Sequence, residues 1–297
     1  MNVLALGVLV AGWWTASPTA QDADPRPARA ALVADCVGLL KLDETGAAIA
    51  RLETQLRADR EFADGWLLLG NALYLEKRYG AAIRAFEAGL RLEPRKAPLA
   101  LSLGFCHFEL GHADDAERFF AALVELQPDN PKARYGYGFV LGKRGAPEAI
   151  AQLERAVQLD PKYWRAHDAL GDVRFDRGEF AIAEASYREA LRGEGWRPST
   201  WYRLGLCLQR QKKRTEATQA LAKYRELNEL VTRVDGLRTR LSAEPADDVA
   251  RAQLANAWLD LGQSAKAVGL ARLVLSRDPT NAVALGVLAR ADAPTDR

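Results

Sequence analysis

The chain has 297 residues, 48% apolar and 27% charged, a balance that excludes a disordered polypeptide and an all-membrane one. A net charge of +2 excludes a general affinity for polyanions such as nucleic acid or acidic membranes. Three cysteines and three histidines leave little material for thiol or metal chemistry.

In chain order, the first predicted element is an apolar, uncharged run from Val3 to Trp14. It is shorter than the ~20 residues that cross a bilayer and suits the core of a secretory signal. Residues 1–20 are therefore expected to be a signal peptide cleaved after Ala20, although Met1-Asn2 lacks a cation and Pro18 stands at −3. Cys36 has no lipobox before it. Residues 21–28 are expected to be a linker.

Beyond it the chain repeats. Gly70, Gly104, Gly138, Gly171 and Gly205 are 34, 34, 33 and 34 residues apart. Ala82, Ala116, Ala149 and Ala183 keep the same step, as do Phe86, Phe120, Leu153 and Tyr187, and Pro94, Pro128 and Pro161. Each unit holds two apolar-periodic stretches of about three helical turns, with a Gly-bearing break between them. A glycine inside a helix costs about 1 kcal/mol against alanine, so the column predicts close helix–helix approach. The alanine column is expected to supply the other half of that contact, and the proline ends the second helix.

The spacing Trp66…Leu69-Gly70…Leu73…Ala82…Phe86…Pro94 resembles the tetratricopeptide repeat, a 34-residue helix–turn–helix unit. The resemblance implies an all-α fold, a right-handed α-solenoid of such repeats, over residues 29–231. Strong units are expected at 63–96, 97–130, 131–163, 164–197 and 198–231, and a weak one at 29–62. Residues 232–247 read as a long-helix extension, and 248–297 as a further repeat with a final helix. Between Glu216 and Leu241 the one breaker is Gly236. A degenerate helix packed on its neighbours is expected there, with a protruding helix as the alternative.

Catalytic motifs are absent: the chain has no H-E-x-x-H, C-x-x-C or G-x-x-x-x-G-K-[ST]. Gly136, Gly138 and Gly142 lie in a repeat helix and read as packing positions. Cys36, Cys106 and Cys207 stand in different units, and helices several units apart in a solenoid are not expected to touch, so buried thiols are predicted. His107 occupies a column where other units carry Leu73, Leu141 and Leu208, which predicts a packed ring; His112 follows Gly111 in a turn and is expected to face solvent. No catalytic residue, metal ligand or cofactor is expected, and no small-molecule substrate.

In a tetratricopeptide array the first helices line a concave groove. The stripe beside their packing column supplies the partner-binding candidates Leu67, Asn71 and Tyr74; Leu101, Phe105 and Phe108; Tyr135 and Phe139; then Phe175 and Tyr202, and the resemblance to the family's chaperone-tail clamp adds Lys132. So much aromatic and leucine surface on a wet face points to a binding groove. The family's chaperone-tail clamp maps onto Leu67, Asn71, Ser102, Lys132 and Gly136, where Asn71 and Lys132 alone match. An apolar or mixed peptide is the better-fitting ligand. The expected function is a non-catalytic, exported scaffold for a protein or peptide, with no nucleic-acid partner and no integral membrane segment after signal cleavage. The alternatives are a cytoplasmic location, an accessory module of an enzyme complex, or an envelope assembly factor docking through its basic stretch. That stretch, 196–240, holds eleven cations against four acids.

Overall fold

The computed structural model describes residues 25–193 and 195–292, so the expected signal segment lies outside the described residues. Among the described residues all regular structure is α-helical. The helices are α1 (Pro25–Lys41), α2 (Thr45–Ala58), α3 (Ala63–Leu75), α4 (Tyr79–Leu92), α5 (Ala97–Glu109), α6 (Ala113–Leu126), α7 (Pro131–Lys143), α8 (Ala149–Leu159), α9 (Trp164–Asp176), α10 (Phe180–Gly193), α11 (Pro198–Arg210), α12 (Arg214–Ala243), α13 (Asp248–Asp260), α14 (Ser264–Leu275) and α15 (Ala282–Asp292). None of the described helices is long and apolar enough to cross a membrane.

Consecutive helices pack as antiparallel pairs, and each second helix also packs on the next first helix. The first helices α3, α5, α7 and α9 touch one another in succession and build the inner wall. Residues 25–28, expected to be linker, are the first turn of α1.

The packing column works differently from the expectation. A Cβ on Gly70 would stand 2.3 Å from Phe86, one on Gly104 2.7 Å from Phe120, and one on Gly171 2.6 Å from Tyr187. The glycine thus receives the large side chain one turn beyond the alanine; the alanines fill the gap alongside and are fully buried. Phe120 is held from both sides, because Gly136 of the next unit would also place a Cβ 2.4 Å from its ring. The Gly136–Gly138 pair is explained by this arrangement. One glycine receives Phe120 and the other receives Leu153 of its own unit.

The fifth unit's second helix continues as the 30-residue α12. Gly236 does not break it: a Cβ there would meet nothing within 4 Å. Leu227, Val234 and Leu237 bury against the cluster built around α13. The expected extension at 232–247 is therefore the end of one continuous helix, and 244–247 form the turn after it.

The two ends of the array meet, contrary to the expectation that distant units stay apart. Leu42, in the turn between α1 and α2, packs against Gly269 of α14. Asp43 accepts from the Trp258 indole at 2.8 Å and from Lys266 at 3.2 Å. Glu44 pairs with Arg251, the largest fully buried side chain, which also binds Asp248 and the Pro245 carbonyl. Four donors of one guanidinium meeting carboxylates and a carbonyl satisfy a charge that would otherwise be costly to bury. Nearby, Ser242 at the end of α12 reaches Glu76 at the end of α3 at 3.3 Å.

Candidate concave groove

The inner wall brings seven of the eleven candidates together. Asn71, Tyr74, Leu101, Phe105, Lys132, Tyr135 and Phe139 line one groove of about 490 Å³, closed by Ser102, Glu109, Tyr163, Arg165 and Arg197. Successive first helices lie side by side, so residues one repeat apart become neighbours across the wall.

The aromatics form a connected floor. Phe105 meets Tyr135 at 5.8 Å, Tyr135 meets Phe139 at 5.8 Å, and Tyr163 stands edge-on to Tyr135 at 5.2 Å. Phe105 also packs edge-on to Phe120 at 4.9 Å, coupling the floor to the Gly104–Gly136 clamp. Tyr135 is only 9% exposed, so it is floor and inter-unit core rather than an anchor standing in solvent. Burial pushes its phenol well above the ordinary range and lifts that of Tyr163 to about 12. Both therefore stay protonated donors.

The polar rim is asymmetric. On one side the Tyr74 hydroxyl donates to Glu109 at 3.3 Å, and the Ser102 hydroxyl to Asn71 at 3.4 Å. On the other, Lys132 and Arg165 are exposed, and the Arg165 and Arg197 guanidinia each lie 4.4 Å from the Trp164 ring. Stacking on an indole holds a guanidinium in place without neutralising it. Asp168 lies below, accepting from Thr200 at 2.7 Å, and burial raises its pKa.

The other four candidates lie outside this groove. Leu67 packs into the cluster of the first units. Phe108 stands edge-on to Phe139 at 5.0 Å on the far side of the floor. Phe175 is wedged against Phe180 at 5.3 Å between α9 and α10. Tyr202 is 41% exposed and pairs with Tyr224 of α12 at 5.1 Å. The fourth unit enters the groove through Arg165 and Arg197 at its ends instead of through Phe175.

Two further features were not anticipated. A cleft of about 770 Å³ between α2 and α4 is rimmed by Arg57, Arg60, Arg78, Arg84 and Arg91 against Glu53. Its sequence signal is the 34-residue step from Arg57 to Arg91 on the second helices α2 and α4, away from the first-helix stripe. The other is a meeting of His107, His112 and Asp115, although no metal ligands were expected from the sequence. Gly111, at φ +80°, turns the chain so that the His112 amide bonds the His107 carbonyl at 2.9 Å. Two rings that periodicity assigns to separate helices thereby become neighbours. The thiols are buried as expected, and burial pushes Cys106 up to about 12, far from a reactive thiolate.

Among the described residues, an all-helical array of paired, glycine-clamped units with an aromatic inner wall defines a helical-repeat solenoid. Two tetratricopeptide repeat models match it, one over residues 73–138 and the other over 38–98, 140–193 and 169–229. The chain belongs to the tetratricopeptide repeat family. It is 28% identical over 138 residues to Protein FlbA of Caulobacter vibrioides, covering 46% of this chain and 23% of that protein. It is 23% identical over 154 residues to Hsp70-Hsp90 organizing protein 1 of Glycine max, covering 52% and 21% respectively. The chain thus spans under a quarter of either relative. Among solved structures, the APC/C hetero-tetramer Cut9-Hcn1 superposes on 86% of this chain and 48% of that one, with a TM-score of 0.58 at 18% identity. MamA matches 54% of this chain and 95% of that one, with a TM-score of 0.45 at 25% identity.

Proposed function

We propose that the chain is a protein-interaction scaffold whose concave groove takes an extended peptide carrying an apolar side chain next to a carboxylate. Tetratricopeptide repeat proteins mediate protein–protein interactions, among them chaperone organizers and subunits of the anaphase-promoting complex. The observation that carries the finer reading is the join of an aromatic floor to a one-sided cationic rim, Lys132 and Arg165, within one groove. Apolar anchors supply most of the energy of such contacts, and rim charges set orientation and partner choice. Glu109 on the opposite wall orients the ligand by repelling its carboxylate. The chaperone-tail clamp is not the model for this groove, since Leu67 and Gly136 replace two of its polar positions.

The reading also includes export, on the apolar segment Val3–Trp14 and the small residue Ala20. Intact mass of protein from its native host is then expected to start at Gln21, and recovery of Met1 on cytosolic protein would contradict it. Catalysis forms no part of the proposal. Docking through the basic stretch is less favoured, because Lys213 is paired with Glu184 at 2.7 Å and Arg240 with Asp247 at 2.6 Å.

The test is selection of a random displayed-peptide library on the full chain, with counter-selection on Lys132→Glu/Arg165→Glu. Both side chains are exposed, so the fold is untouched. Peptides with an apolar residue beside Asp, Glu or the terminal carboxylate are expected on the wild type and lost on the variant. Equal recovery on both chains would contradict the groove reading.

A further inference from the structure

We propose that the turn between α5 and α6 is a binding site for one first-row divalent transition-metal ion, zinc foremost, held by His107, His112 and Asp115. One ligand atom from each of the three lies within 4.8 Å of the others. Tetrahedral zinc, with bonds of about 2.0–2.2 Å, sets its ligand atoms ~3.4 Å apart, so the three must close by about an ångström. The exposed His112 ring, on a helix-capping residue, is placed to make that movement.

The fixed half of the site is already built. His107 is stacked on Phe119 with ring centroids 5.2 Å apart and 20° between planes. Its Nδ1 is buried, has no hydrogen-bond partner, and points at Asp115 Oδ2 3.9 Å away. A buried ring nitrogen without a partner is unusual, and an ion between it and the carboxylate would satisfy both. The other oxygen of Asp115 is held by Arg118, the kind of outer contact that orients a ligating carboxylate. Asp115 in the first turn of α6 offsets the positive helix end that would otherwise repel a cation, while Asp114 beside it is paired with Arg144 at 2.7 Å.

Two imidazoles and one carboxylate select zinc, cobalt, nickel or copper over magnesium and calcium, which take oxygen ligands. Three protein ligands leave a coordination position for water or for a side chain brought by a partner. Every local ingredient depends on this unit. The positions matching His107 in three other units are Leu73, Leu141 and Leu208.

The histidine count makes the test clean. The chain has three histidines, and His167 is engaged elsewhere, its Nε2 lying 2.9 Å from the Pro161 carbonyl. Untagged, chelator-treated full chain is titrated with Zn²⁺ by calorimetry and with Co²⁺ followed by its visible ligand-field bands. One ion per chain is expected. His112→Ala should weaken binding by more than the ~10–100-fold typical of losing an outer-shell partner. His107→Leu installs the residue of the other units, so it should abolish binding while leaving metal-free melting unchanged or higher. His167→Ala should bind like the wild type. No ligand-field band on the wild type, or His107→Leu and His112→Ala binding as it does, would overturn the site.

Discussion

The inter-unit stack and the closing seam hold the same chain together by opposite means. Around Phe120 the contact is apolar and shape-matched: a fully buried ring fills the space two glycines leave. At the seam the contact is polar and directional, with Asp43 and Glu44 gathering Trp258, Lys266 and Arg251 from more than 200 residues away. A glycine receiving a large side chain of the second helix recurs in every strong unit, as a ring in three and a leucine in two, whereas the polar seam is made once. Repetition builds the wall, and a handful of unrepeated side chains decides where the wall ends.

The largest effects should separate these two modes. Phe120→Ala removes a ring gripped by two units and is expected to cost about 3–5 kcal/mol. Because repeat arrays lose stability locally, hydrogen exchange should rise first in α5, α6 and α7. Uniform acceleration over all helices would break the picture of a nearest-neighbour stack.

Arg251→Ala deletes one partner of a buried ion pair and should cost about 3 kcal/mol. Here the loss of protection should fall on α13, α14 and the α1–α2 turn, leaving α5–α7 as they were. The combined replacement Glu44→Leu/Arg251→Met sharpens the comparison, since apolar residues of similar volume often replace a buried pair at little cost. If that variant stays as unstable as Arg251→Ala, the seam depends on direction as well as on burial.

Gly104→Leu comes next, at about 1–3 kcal/mol of overpacking, because its Cβ would sit 2.7 Å from the Phe120 ring. Asp129→Ala, which loses an exposed ion pair with Arg155, should shift stability by less than ~0.5 kcal/mol. Equal shifts in melting temperature for the two would count against the glycine clamp.

The smallest effect belongs to Asp168, whose folded pKa is raised by burial. The folded state then holds its proton more tightly than the unfolded chain, so stability falls as pH rises from the ordinary carboxyl value through the raised one. Asp168→Asn removes that penalty. It should melt slightly higher than wild type at pH 7, and the difference should vanish below about pH 4, where both states are protonated. A difference that grows toward acid would reverse the sign and contradict the burial argument.

How much of this was legible follows from the same contrast. The helix pairs, the glycine column and six groove residues, Asn71, Tyr74, Leu101, Phe105, Tyr135 and Phe139, stand at positions that repeat about every 34 residues, so periodicity exposes them, whereas Lys132 comes from the clamp resemblance. Spacing alone cannot tell which of two buried columns reaches across, so the alanine reads as the glycine's partner although the larger side chain one turn beyond it fills that place. Tyr163, Arg165 and Arg197 were missed for a related reason. They stand at or just before the starts of α9 and α11, outside the mid-helix stripe, yet they close the groove. Asp43, Glu44 and Arg251 belong to no column, and nothing short of the folded chain brings them together. The His107–His112 pair needed the left-handed turn at Gly111, which joins two positions that helical phase keeps apart.

The central claim is that the partner sits on the aromatic inner wall and not in the arginine-rimmed cleft. A photoreactive residue placed at Asn71, in the groove, and another at Leu92, 40% exposed in the cleft, test it directly. Irradiation with a library-selected peptide should yield a covalent adduct from position 71 and none from position 92. An adduct at 92 with none at 71 would place the peptide between α2 and α4 and leave the inner wall as packing between units.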